Sequence, residues 1–306
     1  MKTSMIPSTD GKNTLYSVSN EVVSPKASIQ VIHGMKEHIQ RYRKLFNYGE
    51  KKGILVFGHD HLGHGQTGSS EDRSHLEPGA MDSIIADIKV VSNHFRGSET
   101  HIKLGHSMGS FILRSYLARY PEDSFDGAII MGTAYQKKPL LKAGIALASM
   151  ISKTRGKEHR SKLLYQMSEG SYAKRLPHAK SELDWLSSID QVIEDYREDP
   201  LVGDTFTASA YRELYRLLLE VNSPEKLQSM RKDMPILFMS GRRDPVGDMG
   251  RGVHMVKDMF NHLGMEEVKC ILYPQVNHEI LNDIHSSRVL DDIAVFIEHL
   301  KGENIV

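Results

Sequence analysis

The stretch Gly105-His106-Ser107-Met108-Gly109 decides the fold prediction, because it has the Gly-x-Ser-x-Gly pattern of a serine held on a sharp turn. The pattern alone is weak, since roughly 0.2 copies are expected by chance in a chain of this length and composition. Its setting is more specific: the apolar run at residues 101–104 predicts a strand, and residues 108–119 predict a helix that ends before Pro121. Strand, turn and helix in this order favour an exposed nucleophilic serine over a plain Gly-rich turn with a capping serine.

Outward from this motif, short apolar runs alternate with longer helical patterns, which predicts a mostly parallel central sheet flanked by helices. The alternation stops at residues 136–222, where the composition becomes helical without a convincing strand. The sequence therefore predicts an α/β core formed by residues 1–135 and 223–306, with an inserted helical cap (lid) at residues 136–222. The predicted strands are residues 28–32, 54–57, 101–104, 128–131, 235–240 and 268–273, and the predicted core helices are 39–52, 82–95, 108–119, 251–263 and 286–300.

A serine hydroxyl is a poor nucleophile until a base removes its proton, so the hypothesis requires a downstream histidine and a carboxylate that orients it. Asp244 and His278 each follow one of the last two predicted strands, where α/β proteins build their sites. Ser107, Asp244 and His278 thus occur in the chain order and strand-end positions of a catalytic triad. The alternatives are a turn initiated at Asp244-Pro245, a role for the nearby Asp248 instead, and a solvated loop histidine.

Acyl transfer also needs N–H donors aimed at the oxyanion that develops on the substrate. The backbone N–H of Met108, directly after the serine, is one candidate. The loop after the first predicted strand, His33-Gly34-Met35-Lys36-Glu37-His38, offers the second at Met35, because Gly34 permits a close backbone approach. A plain strand-to-helix turn is the alternative for this loop.

Composition argues against several other functions. The 306 residues include 39 basic and 39 acidic side chains, so no overall field attracts nucleic acid. The single cysteine, Cys270, excludes an intrachain disulfide and a cysteine-rich metal site. Neither a secretory signal nor an apolar run of about 20 residues is present, which predicts a cytoplasmic protein. The oligomeric state is not predicted.

A histidine-rich stretch, Gly58-His59-Asp60-His61-Leu62-Gly63-His64-Gly65, suggests a zinc site, since imidazole and carboxylate groups bind zinc. The spacing is not the His-Glu-x-x-His helix pattern, however, and the glycines indicate a turn. We therefore favour a structural role, and the predicted chemistry requires no metal or organic cofactor.

Together these segments resemble the monoacylglycerol lipase and lysophospholipase branch of the α/β-hydrolases, also called the serine aminopeptidase S33 or hydrolase-4 group. The resemblance covers nearly the whole chain and implies the α/β-hydrolase fold, Ser107, Asp244 and His278 as the triad, and Met35 and Met108 as oxyanion donors. The motifs that carry it are His33-Gly34-Met35-Lys36-Glu37-His38, Asp60-His61-Leu62-Gly63-His64-Gly65, Gly105-His106-Ser107-Met108-Gly109, Gly241-Arg242-Arg243-Asp244-Pro245-Val246-Gly247 and Asn277-His278-Glu279.

The resemblance further implies a small-molecule acyl ester as substrate, most readily a monoacylglycerol or lysophospholipid, with its acyl chain beneath the cap. Residues 140–151 of the cap are apolar over about twelve residues and have basic flanks. This segment predicts either a lid in peripheral contact with an anionic membrane or a core-facing helix with solvated lysines.

The same scaffold is compatible with activities besides lipid hydrolysis. An aminopeptidase needs an acidic anchor for the substrate amine, and no clear one stands out in the cap. An acyltransferase, a short-chain carboxylesterase and a non-catalytic ligand-binding protein could each be built on this fold. The acidic residues available in the cap as amine anchors are Glu169, Glu182, Asp184 and Asp190.

Overall fold

The apolar runs form the central sheet of the computed structural model, which describes residues 1–68, 73–97, 99–177 and 179–302. In this part of the chain, eight strands form one sheet in the order β1-β2-β4-β3-β5-β6-β7-β8. The neighbours from β4 through β8 pair in parallel, while β2 pairs antiparallel with β1 and β4, so the predicted mostly parallel sheet is confirmed. The strands are β1 Lys2–Pro7, β2 Thr14–Ser19, β3 Ala27–Ile32, β4 Ile54–His59, β5 Thr100–His106, β6 Gly127–Met131, β7 Ile236–Gly241 and β8 Val268–Tyr273.

The two N-terminal strands were not predicted. In β1 the side chain of Ile6 is buried, whereas its other residues are exposed or half-buried. An edge strand of this kind carries little of the hydrophobic alternation that marks a half-buried strand. Its antiparallel pairing with β2 extends the sheet beyond the parallel core.

Helices cover both faces of the sheet, as predicted. The apolar side chains of α2, α3 and α8 pack on one face and those of α1 and α9 on the other. The predicted helix at residues 39–52 begins as a 3-10 turn at Ile39–Tyr42 before it becomes α-helical. The bounds are α1 Arg43–Lys52, α2 Ala80–Phe95, α3 Met108–Arg119, α8 Arg251–His262 and α9 Ser286–Leu300.

Between β6 and β7 lie four further α-helices in the described residues: α4 Lys138–Arg155, α5 Lys162–Ser168, α6 Asp190–Glu198 and α7 Ala208–Val221. Both ends of this segment meet at Arg114, a fully buried residue of α3. The guanidinium donates to Ala134 O at 3.1 Å on the outgoing chain and to Val221 O at 2.5 Å on the returning chain. No helix in the described ranges is long and apolar enough to cross a membrane.

Candidate active site

Ser107 lies in the sharp turn between β5 and α3, in the positive-φ region, with φ 54° and ψ −121°. L-residues adopt this region at a cost, so the turn must be fixed by its surroundings. Gly109 lets α3 pack closely enough to hold the turn, because a Cβ at this position would lie only 2.0 Å from Ile32 O at the end of β3. The Ser107 N–H donates to Met131 O at 3.0 Å, which ties the turn to β6. The motif glycine is thus required by close packing of α3 on the sheet.

Asp244 and His278 meet beyond the ends of β7 and β8. His278 Nδ1 lies 2.9 Å from Asp244 Oδ2, and both side chains are buried, at 1% and 0% exposure. The carboxylate also accepts the Val246 N–H at 2.8 Å and the Ser240 hydroxyl at 3.2 Å. Its position is therefore fixed by three groups. Among the described residues, His278 Nε2 has no hydrogen-bond partner.

Ser107, His278 and Met35 line one small cavity of about 20 Å³. Trp185, from the segment between β6 and β7, covers the histidine with its ring centroid 5.0 Å away. A space of this size holds about one water molecule and excludes an acyl chain. The predicted nucleophile, the predicted base and the predicted donor loop thus line one narrow space.

A carboxylate that the sequence analysis gave no role organises the loop after β3. Glu37 accepts the Gly34 N–H at 2.5 Å and the Tyr42 hydroxyl at 2.7 Å, and lies 3.1 Å from His106 Nδ1. Burial would raise the pKa of Glu37, but the hydrogen bond from His106 and the charges of His106 and Arg41 hold it below the ordinary value. Glu37 is therefore an anion that holds the loop of Met35.

Arg41 was also missed, and it connects this loop to the histidine loop. Its guanidinium contacts both carboxylate oxygens of Glu279, at 2.8 and 2.6 Å. Both oxygens accept from the same nitrogen, Nη2. Glu279 directly follows His278, so the two loops are joined by a buried, charge-assisted ion pair. The only signal in the sequence was that Glu37 and Glu279 lie close to the predicted site residues Met35 and His278.

The histidine-rich stretch joins β4 to the loop after β3. Asp60 accepts the Ile39 N–H at 2.8 Å and the Gln66 N–H at 2.7 Å, and the rings of His33 and His61 stack 4.0 Å apart. Burial lowers the pKa of both histidines well below the ordinary value. In the described residues, no three His, Cys, Asp or Glu side chains are grouped as metal ligands. The contacts of this stretch fit the structural role favoured from its glycines.

The sheet, its covering helices and the serine turn define an α/β-hydrolase. A model of the family described as "Serine aminopeptidase, S33" matches residues 23–285, and the chain belongs to this family. The predicted family and fold are therefore confirmed.

Relatives and solved structures agree with this assignment. The chain is 24% identical over 294 residues to a monoacylglycerol lipase of Mycolicibacterium smegmatis, covering 94% of this chain and 93% of the relative. A monoglyceride lipase of Rattus norvegicus is 27% identical over 273 residues, covering 86% and 82%. A thermostable carboxyl esterase of Bacillus coagulans superposes with a TM-score of 0.87 at 26% identity, covering 98% of each chain. The chain is accordingly a serine hydrolase of the esterase and lipase type.

Proposed function

We propose that the chain hydrolyses the ester bond of a monoacylglycerol or lysophospholipid with Ser107, Asp244 and His278 as its catalytic triad. The observation that carries this proposal is the buried 2.9 Å contact between His278 Nδ1 and Asp244 beside a cavity that Ser107 also lines. The carboxylate orients the imidazole and keeps the proton on Nδ1, which leaves Nε2 as the base.

In this mechanism Nε2 of His278 takes the Ser107 proton as Oγ bonds to the ester carbonyl carbon. The oxyanion is bound by the N–H groups of Met35 and Met108, and neither has a backbone acceptor among the hydrogen bonds of the described residues. The bond to the alcohol oxygen then breaks, and His278 donates its proton to the departing alcohol. Water attacks the acyl-enzyme with His278 again as base, releasing the acid and free Ser107.

The charges around the cavity favour an ester over a peptide amine. Two carboxylates line it, and both are occupied: Glu37 by Gly34, Tyr42 and His106, and Glu279 by Arg41. A protonated substrate amine would need an available anion near the serine.

Each of the four cap acids that the sequence offered as amine anchors has a cationic or hydrogen-bond partner of its own. Glu169 pairs with Lys36 at 2.7 Å, Glu182 accepts the Tyr165 hydroxyl at 3.0 Å, and Asp184 accepts the backbone N–H of Lys180. Asp190 lies at the surface with its side chain 87% exposed. These contacts support the choice of an ester hydrolase over an aminopeptidase.

We treat residues 136–222 as the cap and residues 1–135 and 223–306 as the core. The position of Arg114 supports this division, because it binds the chain just before and just at the end of the cap. Since the space of about 20 Å³ beside Ser107 is too small for an acyl chain, we infer that the cap shifts to admit the substrate.

The cap also presents the surface that we propose for membrane contact. Leu140 and Met150 of α4 and Leu163 of α5 are 53%, 56% and 54% exposed. An open groove of about 630 Å³ between these helices is lined by Met150 and Leu163 together with Arg155 and Lys162. Apolar side chains with cationic neighbours are typical of surfaces that rest on anionic lipid.

The test is fluorophosphonate labelling with intact-mass detection, followed by hydrolysis of p-nitrophenyl esters and monoacylglycerols. We expect labelling at Ser107 in the wild type and none in Ser107→Ala, with Ser115→Ala, two turns further along α3, as the matched control. Undiminished labelling of Ser107→Ala would reject the mechanism. A preference for acetyl over decanoyl esters would keep the mechanism and reject the lipid substrate.

A further inference from the structure

The loop that carries the proposed donor Met35 is bound to the cap by the next residue, Lys36. Its ammonium group lies 2.7 Å from Glu169, a cap residue between α5 and α6 that is 2% exposed. The Lys36 carbonyl accepts the N–H of Gly203, also in the cap, at 2.8 Å. Lys36 is thus held at both its backbone and its side chain by the cap.

The backbone of Lys36 needs such support. Its φ is 62°, in the left-handed region that a residue with a Cβ adopts at a cost of roughly 1 kcal/mol or more. Met35 lies between this strained residue and Gly34, whose N–H is held by Glu37. The orientation of the Met35 N–H therefore depends on two anchors, one in the core and one in the cap.

The ion pair between Lys36 and Glu169 is the side-chain part of the cap anchor, and it joins two opposite charges that are almost fully buried. Burial would lower the pKa of Lys36, but the charge of Glu169 raises it above the ordinary value. Separating two buried charges is costly unless both reach water. A shift of the cap away from the core would separate them, and the loop of Met35 would lose its anchor in the same motion.

We propose that Glu169 is a positioning residue: through its ion pair with Lys36, it orders the oxyanion loop when the cap is closed. This inference rests on the proposed function, since it assumes that Met35 binds the oxyanion. It couples the chemistry at Ser107 to cap closure, so that the donor is fully placed only after the substrate is enclosed.

The chain offers a matched control for this contact. Lys157 of the cap and Glu77 of the core also form an ion pair, at 2.6 Å, but with 47% and 59% of their side chains exposed. Neither belongs to the loop of Met35. Glu77→Gln therefore removes a contact between cap and core without touching that loop.

The experiment measures kcat, KM and Tm with a soluble p-nitrophenyl ester for Glu169→Gln, Lys36→Met, the double variant and Glu77→Gln. A displacement of about 1 Å at a catalytic group costs on the order of 100-fold in rate, so we expect Glu169→Gln to lower kcat by about 10- to 100-fold. KM should stay within about threefold, since the anchor acts on the transition state. Glu77→Gln should keep kcat within about twofold of the wild type, as expected for an exposed pair.

The double variant separates positioning from stability. Replacing both buried charges removes the unpaired charge that each single variant leaves, so we expect its Tm to recover. Its kcat should remain as low as in the single variants, because the anchor is still absent. Recovery of kcat together with Tm would overturn the proposal, as would a kcat of Glu169→Gln equal to that of Glu77→Gln.

Lys36→Gly keeps the inference testable if Glu169→Gln or Lys36→Met does not fold. Glycine adopts the left-handed conformation without strain but lacks the ammonium group, so we expect a lowered kcat here too. Wild-type kcat in Lys36→Gly would overturn the proposal. Fluorophosphonate labelling at Ser107 together with that result would reject only the cap anchor, whereas labelling of Ser107→Ala would reject the proposed function itself.

Discussion

The proposed catalytic side chains and the outer face of the cap differ in how firmly the fold holds them. Asp244 and His278 are almost fully buried, and they are bonded to each other at the ends of adjacent strands. On α4, Leu140 and Met150 are more than half exposed. Strand ends thus fix the proposed catalytic groups through backbone geometry, whereas the outer face of the cap is the surface that we propose for lipid contact. Variants in each region should therefore change different measurements.

The largest effect is expected at the acid of the proposed triad. Asp244→Asn keeps the size of the side chain but cannot stabilise the imidazolium, and its amide favours the wrong tautomer of His278. We expect kcat to fall by about 10⁴-fold with little change in KM, measured on a p-nitrophenyl ester.

Asp248→Asn is the matched control, since Asp248 was the competing carboxylate in the sequence. It pairs with Arg175 and Arg251 at the surface instead of with a histidine. Its kcat should remain within a few-fold of the wild type. A larger loss in Asp248→Asn than in Asp244→Asn would exchange the roles of the two acids.

The second-largest effect is expected on stability, at Arg114, which binds the chain at both ends of the cap. Arg114→Met leaves the Ala134 and Val221 carbonyls and the Asn222 side chain without their buried donor. Each buried oxygen left unpaired costs about 1–3 kcal/mol. Removing the buried guanidinium charge offsets part of this cost, so we expect the free energy of unfolding to fall by about 3 kcal/mol. Urea denaturation measures the free energy of unfolding.

Arg119→Met tests whether any arginine on α3 has this effect. Arg119 pairs with Asp82 and Glu220 at the surface, with 34% of its side chain exposed. Its removal should cost less than about 1 kcal/mol. Equal losses in the two variants would mean that Arg114 has no special role at the ends of the cap.

The contrast between the strand ends and the cap also explains how much of the structure the sequence could predict. The predicted bounds of α3, β8 and α9 coincide with those observed, because each combines a clear apolar pattern with a sharp stop. Family and fold followed from short motifs at strand ends. The pairing of Lys36 with Glu169 spans 133 positions and has no local pattern, so periodicity could not reveal it. The contact of Trp185 with His278 could not be predicted for the same reason, since it depends on the path of the cap.

A smaller effect should appear as a pH dependence of core stability. Burial lowers the pKa of His59 to about 3 and of His64 to about 4. The unfolded chain takes up protons at these residues below about pH 6.5, whereas the folded chain does not, so stability is full above pH 6.5 and lost as the pH falls toward 4. Each histidine contributes a slope of about 1 kcal/mol per pH unit.

The variant His59→Gln checks this slope by urea denaturation at pH 6.5, 5.5 and 4.5. We expect the free energy of unfolding to fall less steeply than in the wild type, by about 1 kcal/mol per pH unit. His254→Gln, at an exposed position on α8, is the control and should keep the wild-type slope. An unchanged slope in His59→Gln would show that this histidine is not held neutral by burial.

The smallest effect is expected at the outer face of the cap, in binding to lipid. Met150→Gln replaces a side chain that is 56% exposed on α4, and Met255→Gln replaces one that is 47% exposed on α8 of the core. Partial burial of a methionine in a lipid interface contributes about 1 kcal/mol, so Met150→Gln should weaken binding to anionic vesicles about fivefold. Co-sedimentation at two salt concentrations measures this, and binding should weaken with salt because Arg155 and Lys162 border the same groove. Met255→Gln should bind as the wild type does. If the two variants bind alike, the apolar face of α4 does not contact lipid, and the cap serves only to enclose the substrate above Ser107.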